Sequence, residues 1–149
     1  MMKAFKAGGL GMVFCFVATI PGAAQEIPGA AQEDAAVSQW QTLSGDEVRE
    51  LFAGNTELGE GMKDLEATGL QWTAFFASDG TARRQSSKSG EKAMGTWFVD
   101  ANGRACVQWE GKVEPKCDAI SREGDHYLRI RDGQVRARIK IQKGNPGKL

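Results

Sequence analysis

Beyond Gly69 the chain is divided into seven short segments of alternating character, LQWTAFFA, TARRQ, GTWFVD, RACVQWE, KCDAISR, HYLRIRD and QVRARIKIQ. The dipeptides Asp79-Gly80, Asn102-Gly103, Gly111-Lys112, Glu123-Gly124 and Asp132-Gly133, together with the polar stretch SSKSGEKA, separate them. Asp-Gly and Asn-Gly supply the positive φ angles of tight hairpins, and alternation with period two turns one side of each segment toward a core. Seven such segments predict a mainly β chain: an antiparallel meander that curls into a small barrel or sandwich of about seven to eight strands. An eighth strand is expected to begin at Asn55-Thr56.

The N-terminal third reads differently. In LSGDEVRELFAGNT, Ser44 followed by Glu47 has the form of a capping box, Val48, Leu51 and Phe52 follow at helical spacing, and Gly54 is the natural stop. This predicts one short helix of about ten residues with an apolar stripe to bury. The residues before it, 25–39, are rich in Ala, Gln, Glu and Asp, and read as a flexible tether. At the start, MMKAFKAGGLGMVFCFVATIPGAAQ combines two lysines, an apolar run from Ala7 to Ile20 and small residues before Gln25, the pattern of a secretory signal peptide cleaved after Ala24. PGAAQE recurs at Pro28–Glu33 and offers a second site after Ala31. The apolar run is shorter than the roughly 20 residues a membrane helix needs, so no stable membrane span is expected after cleavage. Cys15 follows Phe14 rather than a small residue, and no lipid attachment is expected there.

The 149 residues suit one domain, 40–149, and carry 26% charged residues at zero formal net charge. That zero conceals an imbalance. Residues 25–80 hold eleven acids against Arg49 and Lys63, about −9, and residues 81–149 hold eight acids against fifteen bases, about +7.

Together the signal peptide, LSGDEVRELFAGNT, FFASDGT, GTWFVDANGRACVQW and CDAISREGDHY resemble a group of small secreted proteobacterial proteins that share a domain of unknown function. The resemblance spans roughly residues 43–131. It implies a periplasmic or secreted location and a β-rich fold, and it implies no activity, cofactor or functional residue.

A structural zinc site normally takes four Cys or His ligands, and a chain cleaved after Ala24 keeps only Cys106, Cys117 and His126. Ten residues separate the two cysteines, which is not the CxxC redox spacing. In an oxidising compartment a Cys106–Cys117 disulfide is expected. Two registers compete. A direct one sets Cys106 opposite Cys117 but places Val107 against Lys116 and Trp109 against Glu114. A shift of one residue aligns Trp109, Val107 and Ala105 with Pro115, Cys117 and Ala119, but points Cys106 to the other side.

Sites of chemistry are sparse. His126 is the sole histidine and shares a face with Leu128 and Ile130, the carboxylates mostly occupy turns, and Gly54, Gly59 and Gly61 lack the strand and lysine of a phosphate loop. Trp72, Trp97 and Trp109 fit either a core or the walls of a ligand site. The last hairpin carries the strongest signal. A two-residue turn at Asp132-Gly133 pairs Arg129 with Arg136 and Tyr127 with Arg138, which places Arg129, Arg131, Arg136, Arg138 and Lys140 on one outer face. Such a face suits an anionic ligand or acidic protein, unless Asp118 or the acidic helix neutralises it. The expected function is therefore a binding or structural module that docks an anionic partner, with no cofactor, no metal and no nucleic acid. An inhibitor of a secreted hydrolase (a protease or lysozyme) is the first rival, and a small carboxylate-dependent enzyme the second.

Overall fold

A computed structural model describes residues 40–149; the expected signal peptide and tether lie outside the described residues. The chain runs β1 (Gln41–Thr42), α1 (Gly45–Phe52), β2 (Asn55–Lys63), β3 (Glu66–Phe76), β4 (Thr81–Ser86), β5 (Lys92–Val99), β6 (Ala105–Trp109), β7 (Lys116–Glu123), β8 (His126–Arg131) and β9 (Gln134–Lys143). From β2 to β9 each strand pairs antiparallel with the next, and β9 returns to β2 through Glu57↔Ile141 and Gly59↔Ile139. The expected barrel is therefore a closed ring of eight strands. Closure leaves none of its strands with an unpaired edge. β1 lies outside the ring, paired with β7 through Gln41↔Arg122 and Thr42↔Ser121.

One end is closed by α1. The capping box is present, with Glu47 N–H donating to Ser44 Oγ at 3.4 Å and Ser44 N–H to Glu47 Oε2 at 2.7 Å. Leu43, Val48 and Phe52 are buried in the barrel's core. The Phe52 ring meets that of Phe76 edge-on at 4.9 Å, and Phe76 meets Trp97 at 5.7 Å, arrangements that aromatic quadrupoles favour. Trp97 Nε1–H donates to the Ala77 carbonyl at 2.8 Å, so Trp97 is a core residue of this closed end. Asp79 and Asp100 fasten the turns here: the backbone N–H groups of Thr81 and Arg104 bond their carboxylates, which holds both below the usual aspartate pKa.

The interior face of the wall carries Gly59, Gly61 and Gly95 with Ala74, Ala82, Ala105 and Ala137. Side chains normally fill an eight-stranded barrel. Here Gly61, Ala74 and Ala137 leave room toward the end opposite α1. The sequence at Gly59 is dictated by contact, since a Cβ there would lie 2.2 Å from the Trp72 indole, which rests flat on the glycine backbone.

The last hairpin departs from expectation. Asp132-Gly133 does close the turn, with Arg131↔Gln134 and Ile130↔Val135, but the next pair is Arg129↔Ala137. Arg136 is the extra residue of a β-bulge. Beyond it Tyr127 faces Ile139, not Arg138, and the two strands combine the opposite sides from those predicted. Tyr127, Arg129 and Arg131 point inward with Ala137 and Ile139, while Leu128, Ile130 and Val135 form a separate outer cluster with Met62, flanked by Trp40 and Ala119. The predicted single basic face does not exist.

Cys106 and Cys117 stand directly opposite one another and are joined, S–S 2.03 Å. The direct register thus holds, including the Val107↔Lys116 pair. β6 and β7 align over only three residue pairs, so the covalent link lies at the shortest seam of the ring. Replacing both cysteines with Ser is expected to lower the unfolding free energy by roughly 2–4 kcal/mol in urea denaturation. A loss under about 0.5 kcal/mol would show that the seam holds without its staple.

Candidate functional site

Inside the barrel the bulged register delivers a charged side chain to the core. Arg129 is 7% exposed. Its Nε and Nη2 donate to Glu57 Oε2 at 2.9 and 2.6 Å, and its Nη1 donates to Asp118 Oδ2 at 3.1 Å. Trp72 Nε1–H takes the other Glu57 oxygen at 2.7 Å. The guanidinium carbon lies 5.2 and 5.8 Å from the ring centres of Phe52 and Phe76. Burial works against the arginine's charge, but the adjacent Glu57 and Asp118 carboxylates outweigh it and raise its pKa above the ordinary arginine value.

Arg131, one inward position further along β8, approaches the same aspartate: Nη2 lies 2.7 Å from Asp118 Oδ1. The contact lacks hydrogen-bond alignment, so Asp118 Oδ1 and Arg131 Nε have no hydrogen-bond partner. Two carboxylates and two guanidiniums thus form a charge-balanced floor. Above it opens a cavity of about 210 Å³, walled by Leu70, Trp72, Val107 and Trp109 and rimmed by Arg84, Lys116, Arg131 and Arg136. Arg84 lies over the Trp109 ring at 5.0 Å. Among the described residues Arg84, Lys116 and Arg136 form no ion pair. Two acids against five bases leave the cavity a surplus of three positive charges.

The predicted basic residues therefore separate. Arg129, Arg131 and Arg136 reach this cavity. Arg138 and Lys140 lie on the barrel's outside, where Arg138 Nε donates to Glu123 Oε2 at 2.9 Å and Lys140 Nζ sits 3.4 Å from Asp125. Compensation by Asp118, foreseen in the sequence, operates on Arg129 and Arg131 only. Of the tryptophans, Trp72 and Trp109 line the cavity and Trp97 does not. His126 stays outside, 2.5 Å from Asp125.

Sequence reasoning missed Glu57, Arg84 and Lys116, and it named Asp118 only as a neutraliser of an outer basic face. Two signals were available. Glu57, Gly59 and Gly61 alternate, which on a strand puts one acid and two gaps on a single face. The pairing of Val107 with Lys116, awkward for a wall that is either core or solvent, is natural where the interior opens to water.

No protein-family model matches the chain, and no curated protein is significantly similar to it. Among the described residues no helix is long and apolar enough to cross a membrane.

Removing one member of a buried ion cluster strands the others in low dielectric. Arg129→Met is expected to destabilise the domain by roughly 3–5 kcal/mol in urea unfolding, whereas Arg136→Gln stays within about 0.5 kcal/mol. Equal, small effects of the two would remove Arg129 from its structural role.

Proposed function

We propose that the protein is an exported binding module whose barrel mouth takes an anion. One observation carries the reading: Arg84, Lys116 and Arg136 converge on a single cavity with no carboxylate paired to them among the described residues, while the acids at its base are already paired with Arg129 and Arg131. Like charges held together on a concave, partly desolvated surface raise the local potential and favour an incoming anion. Guanidinium groups add paired donors that match carboxylate and phosphate oxygens. The Cys106–Cys117 disulfide fits the periplasmic or secreted location suggested by the N-terminal sequence.

The geometry disfavours a carboxylate-dependent enzyme. Glu57 and Asp118 do line the cavity, but both Glu57 oxygens are held by Trp72 and Arg129, and Arg129 and Arg131 hold Asp118. A general acid needs a carboxyl free to exchange its proton with a substrate. The inhibitor reading draws on another feature. Val113 is 96% exposed in the loop between β6 and β7, whose base the disulfide pins. An inhibitor inserting that tip into an enzyme cleft would lose inhibition of a protease or lysozyme on Val113→Asp, with anion binding unchanged.

For the anion site, thermal unfolding in phosphate or sulfate should give a higher Tm than chloride at equal ionic strength, because screening alone treats the salts alike. Arg84→Gln with Arg136→Gln should remove the difference. Indistinguishable Tm values for the unsubstituted protein in all three salts would reject anion binding at the mouth.

A further inference from the structure

The cavity restricts the kind of anion. We infer that it takes a small aromatic monocarboxylate, ring inward and carboxylate at the rim, an inference that rests on the anion-binding reading above. Size comes first. A volume of about 210 Å³ equals the liquid share of about seven waters at roughly 30 Å³ each, and falls below the roughly 300–1,000 Å³ of drug-sized sites. A single ring with a short acidic arm is of that order.

The walls decide the body of the ligand. Leu70, Trp72, Ala74 and Val107 present apolar surface on the way from rim to floor. A bare inorganic oxyanion held at the rim would leave this surface wet, whereas a ring would cover it and gain both area burial and contact with aromatic faces.

The floor decides the number of charges. Glu57 and Asp118 are balanced by Arg129 and Arg131, so the deep end offers no spare cation, and a second anionic group pushed inward would meet two carboxylates. One negative charge, at the outer end, is the arrangement that fits.

The rim decides how that charge is held. Arg84 is oriented by its stacking on Trp109, and a stacked guanidinium keeps its edge N–H groups available for a carboxylate. Arg131 has a side chain 30% exposed and a contact with Asp118 that lacks hydrogen-bond alignment. Its Nε has no hydrogen-bond partner, a donor left for an incoming carboxylate while Nη2 stays beside Asp118.

Calorimetric titration tests this with five probes: phenylacetate, inorganic phosphate, acetate, neutral phenylacetamide and the dianion terephthalate. Phenylacetate is expected to bind at least tenfold more tightly than each of the others. Leu70→Ser, at a position 54% exposed and so safe for folding, should weaken phenylacetate severalfold and leave phosphate unchanged. Arg84→Gln should weaken both. If phosphate, acetate or terephthalate binds as tightly as phenylacetate, the aromatic monocarboxylate is wrong and the anion site stands. If phenylacetamide equals phenylacetate, or no anion binds at all, both readings fall.

Discussion

The ion cluster of Arg129 with Glu57 and Asp118 is the constraint on which the rest of the barrel turns. The three residues come from β8, β2 and β7, and they meet only if each inward-facing row is in its observed register. A slip of one residue would turn Arg129 outward and leave two carboxylates buried without a cation, a change far costlier than the loss of any hydrogen bond in the wall. A well-packed apolar trio of equal volume would hold the barrel together about as well. What the charged trio adds is intolerance of neighbouring registers. The bulge at Arg136 follows from the same constraint. Regular pairing through Asp132-Gly133 would set Arg129 against Arg136 on one side, two like charges with Leu128 and Val135 behind them; the extra residue lets Arg129 reach its acids and frees Arg136 for the rim.

The two ends of the barrel are built by opposite use of the interior positions. Toward α1 the inner face carries large side chains, with Phe76 edge-on to both Phe52 and Trp97. Toward the other end Gly59, Gly61 and Ala74 leave space that Trp72 only partly fills, because its indole is drawn flat against Gly59 by the bond to Glu57. The charged floor lies between the two, and aromatic rings screen one side of Arg129 from water while the cavity opens on the other.

What could be read from the sequence was whatever depends on neighbours in the chain. The capping box at Ser44 and Glu47, the stop at Gly54, the glycine turns and the eight strands of the ring all rest on residues a few positions apart, and all match the structure; β1 was not foreseen. The first alternating segment, expected from Leu70, starts earlier in the structure. The strand begins at Glu66, because Asp64 and Leu65 turn the chain with φ of 51° and 66° and no glycine announces it. The basic hairpin shows the deeper limit. Alternation gave the two sides of β8 correctly, and those of β9 beyond Ala137, but the single extra residue at Arg136 puts Val135 on the opposite side from Ala137 and decides which side of one strand joins which side of the other. The reason for that residue, Glu57 and Asp118, lies 72 and 11 positions away from Arg129.

The placement of the disulfide belongs to the same logic. β6 gives three residue pairs to β7, after which β7 bends away to pair with β8 and to receive β1 on its other edge. A seam that short is a natural point for the wall to open, and it carries Val107, Lys116 and Asp118, which line the cavity. Because Cys106 and Cys117 alternate with these inward residues, their link lies on the far side of the wall and takes no room in the cavity. Fixing the seam from outside holds Trp109 under Arg84 and Lys116 at the rim. A barrel filled throughout with large side chains would hold its short seam by packing alone. One that keeps an open, charged mouth forgoes that packing, and a covalent bond across its shortest seam supplies the constraint instead.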